Sequence, residues 1–286
     1  MPLTEAELNS IVDALQAQGG IIDDVKWLAE NEACDIYFAV LSAAEAKEML
    51  AHLLANVPFD FVIQTEEGRK KKLLICDMDS TIIEQECIDE LADFIGKKEE
   101  VSQITARAMN GELEFKSALR ERVALLEGLP VTKLDETFEK RITIMPGAKE
   151  LITTMKENGA RTVLVSGGFT FFTERVQQVV GFDVQEANIL EIDGTNLSGK
   201  VREPILDKTA KLNALLFYSE EIGINTHSAL AVGDGANDLP MLMEAGMGVA
   251  YHAHPNVKAQ TRAKIDHCDL RSLLYIQGYK KLDFRG

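Results

Sequence analysis

Three short apolar runs, Leu73–Cys76, Thr162–Val165 and Ala229–Val232, constrain this chain more than any other feature. They lack the alternation of a half-solvated strand and read as strands buried on both faces of a sheet. Segments with helical periodicity separate them, and strands alternating with helices predict a parallel, doubly wound α/β sheet. In such sheets ligands bind beyond the carboxyl ends of the strands. The three runs end in Asp77-Met78-Asp79, Ser166-Gly167-Gly168 and Gly233-Asp234-Gly235, so these polar residues are expected to converge on one site.

The segment 84–145 departs from that alternation. It reads as all-helical, with Ile88, Leu91, Ala92 and Ile95 in one stripe and Phe115, Ala118, Leu119 and Leu126 in another. Following the first strand directly, it is expected to be a helical cap inserted over the site. Asp193-Gly194 and Ser198-Gly199 predict a hairpin within 188–201. Before the first strand, 4–17 places Leu8, Ile11, Val12 and Leu15 on one helical face, 21–28 and 34–40 read as strands, and 43–55 is helical with Ala46, Met49, Leu50, Leu53 and Leu54 as its stripe. Residues 59–64 alternate like a further strand. This α-β-β-α-β order resembles the small-molecule-sensing ACT domain without its first strand. The charged stretch 66–72 reads as a linker, giving an N-terminal α+β unit over 1–68 and a larger domain over 69–286.

The chain has 286 residues and a net charge of −16, which argues against nucleic-acid binding and against docking on anionic membranes. No apolar run is long enough for a membrane span, and the acidic, amphipathic start resembles neither a secretory signal nor a transit peptide. Cys34, Cys76, Cys87 and Cys268 form no CxxC pair, so a reduced, cytoplasmic location is the simplest expectation. The histidines show no metal-ligand spacing.

Asp77 and Asp79, two residues apart at a strand end, repel one another unless a cation, a proton or a hydrogen bond compensates. Magnesium suits such a pair, because it prefers oxygen ligands and takes carboxylates together with substrate phosphate. The bland alternative is turn chemistry of Asp and Ser. Gly233-Asp234-Gly235-Ala236-Asn237-Asp238 repeats the pattern at a second strand end, where glycines let the backbone approach a ligand. Ser166 offers a hydroxyl, and the amides after it can bind phosphate at a helix start. Lys208 and Lys211, three residues apart, share one helix face, and geometry does not separate them.

These motifs, in this order and at strand ends, resemble the haloacid dehalogenase-like phosphohydrolases from about Lys70 to the C-terminus. Within that superfamily Glu86 in DMDSTIIEQE, the cap segment LRERV and SGGF are similar to the phosphoserine phosphatase family. The resemblance implies that Asp77 is the nucleophile, forming an aspartyl-phosphate, and that Asp79 is the general acid and base. It implies Mg2+ held by Asp77, the backbone carbonyl of Asp79, and Asp234, with Asp238 in support. It also implies phosphate binding by Ser166, Gly167, Asn237 and a lysine, which its Ala-Lys pattern places at Lys211.

Arg122 adds evidence independent of the family. It falls in the apolar stripe with Phe115, Ala118, Leu119 and Leu126, and a charge on a buried face needs a partner. An intramolecular salt bridge or a snorkelling stem is the ordinary explanation. In a cap above a phosphatase site, a substrate carboxylate is the alternative, held by the two-pronged guanidinium. Glu86 either supplies charge to a helix's first turn or binds a substrate ammonium. Together the two predict a zwitterionic substrate, phosphoserine. Phe115 and Met109 are expected in the core more than in the pocket. A phosphotransferase to another alcohol and a serine-sensing protein are the competing functions, and a homodimer through the N-terminal unit is one assembly open to the chain.

Overall fold

The computed structural model describes residues 2–110 and 112–286, and the side chains of Met109 and Lys208 lie outside the described residues. The expectations placed on those two side chains therefore lie outside it too.

The N-terminal unit contains α1 (Glu5–Ala17), β1 (Ile21–Ala29), β2 (Ala33–Ala39) and α2 (Ala43–Leu53). Ser42 starts α2 with a capping box: its hydroxyl accepts from the Glu45 amide at 3.3 Å, and Glu45 Oε2 accepts from the Ser42 amide at 3.0 Å. Ile11, Leu15, Ala46 and Leu50 form a small core under the antiparallel β1–β2 ribbon. Leu53, grouped above with the α2 stripe, is exposed.

The strand expected over 59–64 does not form. Its alternation has another cause. Phe61 and Ile63 pack on the small core, while Val62 packs on the main one. The Asp60 carboxylate accepts from the amides of Asp266, His267 and Cys268. A segment wedged between two cores alternates as a strand does, but among the described residues no strand is hydrogen-bonded to it. The ACT-like reading counts three strands, and this ribbon has two. The stretch read as a linker is also clamped: Arg69 makes a two-pronged pair with Asp35, at 2.7 and 2.9 Å, and bonds the carbonyls of Tyr275 and Ile276.

Next come β3 (Leu73–Cys76), α3 (Cys87–Asp93), α4 (Lys98–Met109), α5 (Phe115–Ala124), α6 (Thr132–Arg141), α7 (Ala148–Glu157) and β4 (Arg161–Phe169). They are followed by α8 (Thr170–Val180), β5 (Val184–Asn188), β6 (Leu190–Asp193), β7 (Asn196–Val201), α9 (Lys208–Glu221) and β8 (Ala229–Gly233). The chain closes with α10 (Leu239–Glu244), β9 (Met247–Tyr251), α11 (Pro255–Lys258), β10 (Ala263–Ile265) and α12 (Ser272–Ile276). Among the described residues β10-β9-β8-β3-β4-β5 form one parallel sheet. Leu74 and Cys76 face one core, and Leu73 and Ile75 the other. Both faces of β3 are covered, which is why its run is unbroken. Full burial of each such aliphatic side chain stabilises the fold by roughly 1.5–3 kcal/mol.

The expected cap is the helical layer α3–α6. Its entry and exit are zipped together, with the Glu84 amide donating to Thr143 O at 3.0 Å and the Met145 amide to Ile82 O at 2.9 Å. The β6–β7 hairpin, also expected, is bonded to the cap by Gly128 N to Leu197 O and Val131 N to Thr195 O, both 2.9 Å. Lys116 also pairs with Asp207 at 3.0 Å, Arg120 with Glu203 at 2.7 Å, and Asn256 Nδ2 donates to Asn110 O at 3.0 Å. Ile95, placed above in a cap stripe, is exposed.

Candidate active site

Because β3 lies between β8 and β4, the three polar strand ends are neighbours. Cys76 is in register with Val232 and Leu164, and the Asp77 amide continues the ladder to Val232 O at 3.0 Å. The DxD, SGG and GDG segments therefore meet, as the strand order demands. They face a pocket lined by Asp77, Asp79, Ser166, Gly167 and Asn237 below, with Glu86, Phe115 and Arg122 around it. Of the other candidate site residues, Lys211 contacts Asp77 and Asp234 clusters with it.

Asp77 Oδ1 accepts from the Met78 amide at 2.8 Å and from Lys211 Nζ at 2.7 Å. Lys211 Nζ also contacts Asp238 Oδ1 at 2.6 Å. Asp238 Oδ2 accepts from the Gly235 amide at 3.0 Å. Gly233 is required here, since a Cβ would lie 2.4 Å from Asp238 Cγ. Asp77, Asp234 and Asp238 bring ligand oxygens within 4.8 Å of one another, and all three are buried.

Asp79 is held differently. Its Oδ1 accepts from the Cys87 amide at 2.9 Å, and its Oδ2 from Ser166 Oγ at 3.2 Å. The carboxylate of Asp79 thus stands outside the three-aspartate cluster. Its backbone carbonyl accepts no hydrogen bond among the described residues. Ser166 Oγ also accepts from the Gly168 amide at 2.8 Å, which folds the SGG turn tightly. A Cβ on Gly168 would stand 2.8 Å from Asp79 Oδ2, and one on Gly167 would stand 2.6 Å from Phe115 Cζ.

The electrostatics follow from burial. Desolvation, with help from Asp77, pushes Asp79 up to about 6. Desolvation and Asp77 raise Asp238 to about 7 against the opposing Lys211. Burial, then Asp77, Glu86 and Asp238, hold Asp234 well above the carboxylate range. Burial alone would lower the Lys211 ammonium, but Asp238 and Asp77 outweigh it and raise the group. Glu86, at the start of α3, is pushed up to about 8 by burial and by Asp79, although Ser80 Oγ donates to it at 2.7 Å. Three buried carboxyl groups share one ammonium, burial and mutual repulsion hold Asp234 and Asp238 high, and the donors are all hard oxygens. That set fits a divalent cation. The buried Asn237 Oδ1 has no hydrogen-bond partner and belongs to the same pocket lining.

Arg122 is 3% exposed. The intramolecular salt bridge that would ordinarily explain it is absent among the described residues: its Nε donates to Ala118 O at 3.2 Å and one terminal nitrogen to Thr105 Oγ1 at 2.8 Å. Phe115 packs against the main core and also lines the pocket.

Residues 74–243 match the haloacid dehalogenase-like hydrolase family. The chain belongs to that family. The match runs from β3 into α10 and so spans all three strand ends of the site. A phosphoserine phosphatase from a Polaromonas species is 46% identical over 208 residues, covering 71% of this chain and 88% of the relative. A solved phospho-aspartyl intermediate analogue of phosphoserine phosphatase superposes with a TM-score of 0.69 at 40% identity, over 72% of this chain and 98% of that one. An unliganded probable phosphoserine phosphatase from Vibrio cholerae matches 98% of this chain and 85% of its own, with a TM-score of 0.78 and 32% identity.

Four residues of this haloacid dehalogenase-like site escaped sequence reasoning. Asn188 donates to Gly167 O at 2.8 Å and accepts from the Leu206 amide at 2.7 Å, tying the SGG turn to the chain before α9. Thr81 Oγ1 donates to Asp234 Oδ1 at 3.3 Å. Asp89 and Thr105 stand behind Arg122. Thr105 carried a readable signal, since it interrupts the buried stripe Val101–Thr105–Ala108 on α4.

Proposed function

We propose that the chain hydrolyses O-phospho-L-serine to serine and phosphate. The observation that carries the substrate is the pairing of Glu86 and Arg122 around the pocket whose floor holds Asp77 and Asp79. A carboxylate and a guanidinium recognise an ammonium and a carboxylate, and phosphoserine offers both beside its phosphate. The relatives' names point to the same substrate.

In this mechanism the Asp77 carboxylate attacks phosphorus and the bond to the seryl oxygen breaks, giving an aspartyl-phosphate. Asp79, raised to about 6 by burial, delivers its proton to the departing oxygen. It then takes a proton from water, which attacks phosphorus and frees Asp77. Lys211, Ser166, the Gly167 amide and Asn237 hold the phosphoryl oxygens. Asp77, the Asp79 carbonyl and Asp234 would hold Mg2+, with Asp238 in support, and the ion would supply charge neutralisation for the phosphoryl group.

The test is phosphate release in the presence of Mg2+ from L-phosphoserine, phosphothreonine, sugar phosphates and p-nitrophenyl phosphate. Phosphoserine is turned over fastest, and Arg122→Ala raises its KM far more than that of p-nitrophenyl phosphate. Equal shifts reject the carboxylate role, and an active Asp77→Asn rejects the nucleophile. Product analysis with added alcohols separates hydrolysis from phosphotransfer. No helix is long and apolar enough to cross a membrane, and four free cysteines support a reduced, cytoplasmic setting. A homodimer through the N-terminal unit remains a proposal from the sequence, and sedimentation tests it.

A further inference from the structure

We infer that Thr105 and Asp89 are positioning residues for Arg122 and so determine specificity for the substrate carboxylate. The inference rests on the proposed role of Arg122. It goes beyond that role by assigning two residues, on two other cap helices, that touch neither the phosphate nor the reacting atoms.

The geometry is a relay across α5, α4 and α3. Arg122 donates to Thr105 Oγ1 at 2.8 Å, and Thr105 Oγ1 donates to Asp89 Oδ1 at 2.8 Å. The second oxygen, Asp89 Oδ2, accepts from Ser102 Oγ at 2.6 Å. A hydroxyl has one proton and two lone pairs. With its proton committed to Asp89, Thr105 presents only lone pairs to the guanidinium, so its orientation is fixed. The negative charge of Asp89 strengthens that acceptor through the hydroxyl.

The spacing by one hydroxyl matters. A carboxylate placed directly on Arg122 would form a two-pronged pair and consume the donors needed for the substrate. Thr105 instead engages a single terminal nitrogen, and Ala118 O engages Nε. The other terminal nitrogen has no protein acceptor among the described residues, and Arg122 lines the pocket beside Glu86. The cap thus steadies a buried cation without neutralising it. A packing role alone would need neither the hydroxyl nor the charge, because a valine at position 105 fills the same volume.

The experiment compares full-length Thr105→Val, Thr105→Ser, Asp89→Asn and Arg122→Ala on L-phosphoserine and on p-nitrophenyl phosphate, which has no carboxylate. Thr105→Val is expected to raise KM for phosphoserine about tenfold, the loss of one charge-assisted hydrogen bond, while KM for p-nitrophenyl phosphate moves less than about twofold. Thr105→Ser restores the wild-type ratio. Asp89→Asn, which keeps an acceptor but not the charge, gives a smaller shift of the same kind. It also serves as the test if the valine variant does not fold. Thr105→Val added to Arg122→Ala has no further effect on phosphoserine. If Arg122→Ala is selective for phosphoserine and neither Thr105→Val nor Asp89→Asn is, the positioning role is overturned. If Arg122→Ala itself affects both substrates alike, the fault lies with the substrate assignment.

Discussion

Glu86→Gln keeps the size of the side chain and the oxygen that accepts from Ser80 Oγ at 2.7 Å, and removes only the charge. Burial raises Glu86 from 4.5 to about 8 in the folded, metal-free protein. Between those values the native state holds a proton that the unfolded chain has lost. Unfolding therefore releases a proton, and the group's contribution to stability falls as pH rises through the window. For a separation of that size the loss at pH 8 has a ceiling of about 4 kcal/mol. Glu86 is only part-buried, so solvent relaxation brings the expected figure to roughly 2 kcal/mol. In EDTA, the glutamine variant should be more stable than the parent by that amount at pH 8 and nearly equal to it at pH 4.5. Urea midpoints at the two pH values measure this. A variant no more stable at pH 8, or stabilised equally at both, refutes the reasoning. The same substitution should raise KM for phosphoserine, because the charge that destabilises the empty fold is the one offered to the substrate ammonium.

Lys211→Met leaves two buried carboxylates without their shared cation and should lower stability by about 3–5 kcal/mol in urea denaturation. An unchanged midpoint contradicts the pairing. Asp234→Asn should weaken Mg2+ binding by at least about tenfold in calorimetry, whereas retained affinity removes Asp234 from the ligand set. Gly167→Ala places a Cβ 2.6 Å from Phe115 Cζ. Overpacking of about 1–3 kcal/mol against the closed cap should then lower kcat/KM for phosphoserine roughly tenfold, with recovery on adding Phe115→Leu; no loss shows that the cap yields freely.

The catalytic half of the fold was legible because its signals are local. Continuous apolar runs mark strands covered on both faces, and the polar residues that follow them have only one end of a parallel sheet to occupy. Lys211 needed the resemblance, because two lysines on one helix face look alike until Asp77 and Asp238 are seen to flank one of them. Residues 59–64 misled because alternation records two-sided packing, and two cores produce it as well as two strand neighbours do. Arg69 looked like linker because its partners Asp35, Tyr275 and Ile276 lie far away in sequence. The Asp89–Thr105–Arg122 relay needed the packing of three helices, which no spacing along one helix encodes.

The attachments of the cap limit how it can open. A lid joined at a single hinge swings in any direction. This one is zipped to the sheet at 82–84 with 143–145, and bonded again to the β6–β7 hairpin through Gly128 and Val131. These two sets of backbone bonds are expected to restrict any opening to a rotation about the line between them. The ion pairs Lys116–Asp207 and Arg120–Glu203 act as clasps on that rotation. Added salt weakens clasps of this exposed kind and leaves backbone bonds alone. Serine release is therefore expected to quicken with ionic strength, although the product itself carries no net charge; kcat measured over a salt series checks this, and an unchanged kcat refutes it.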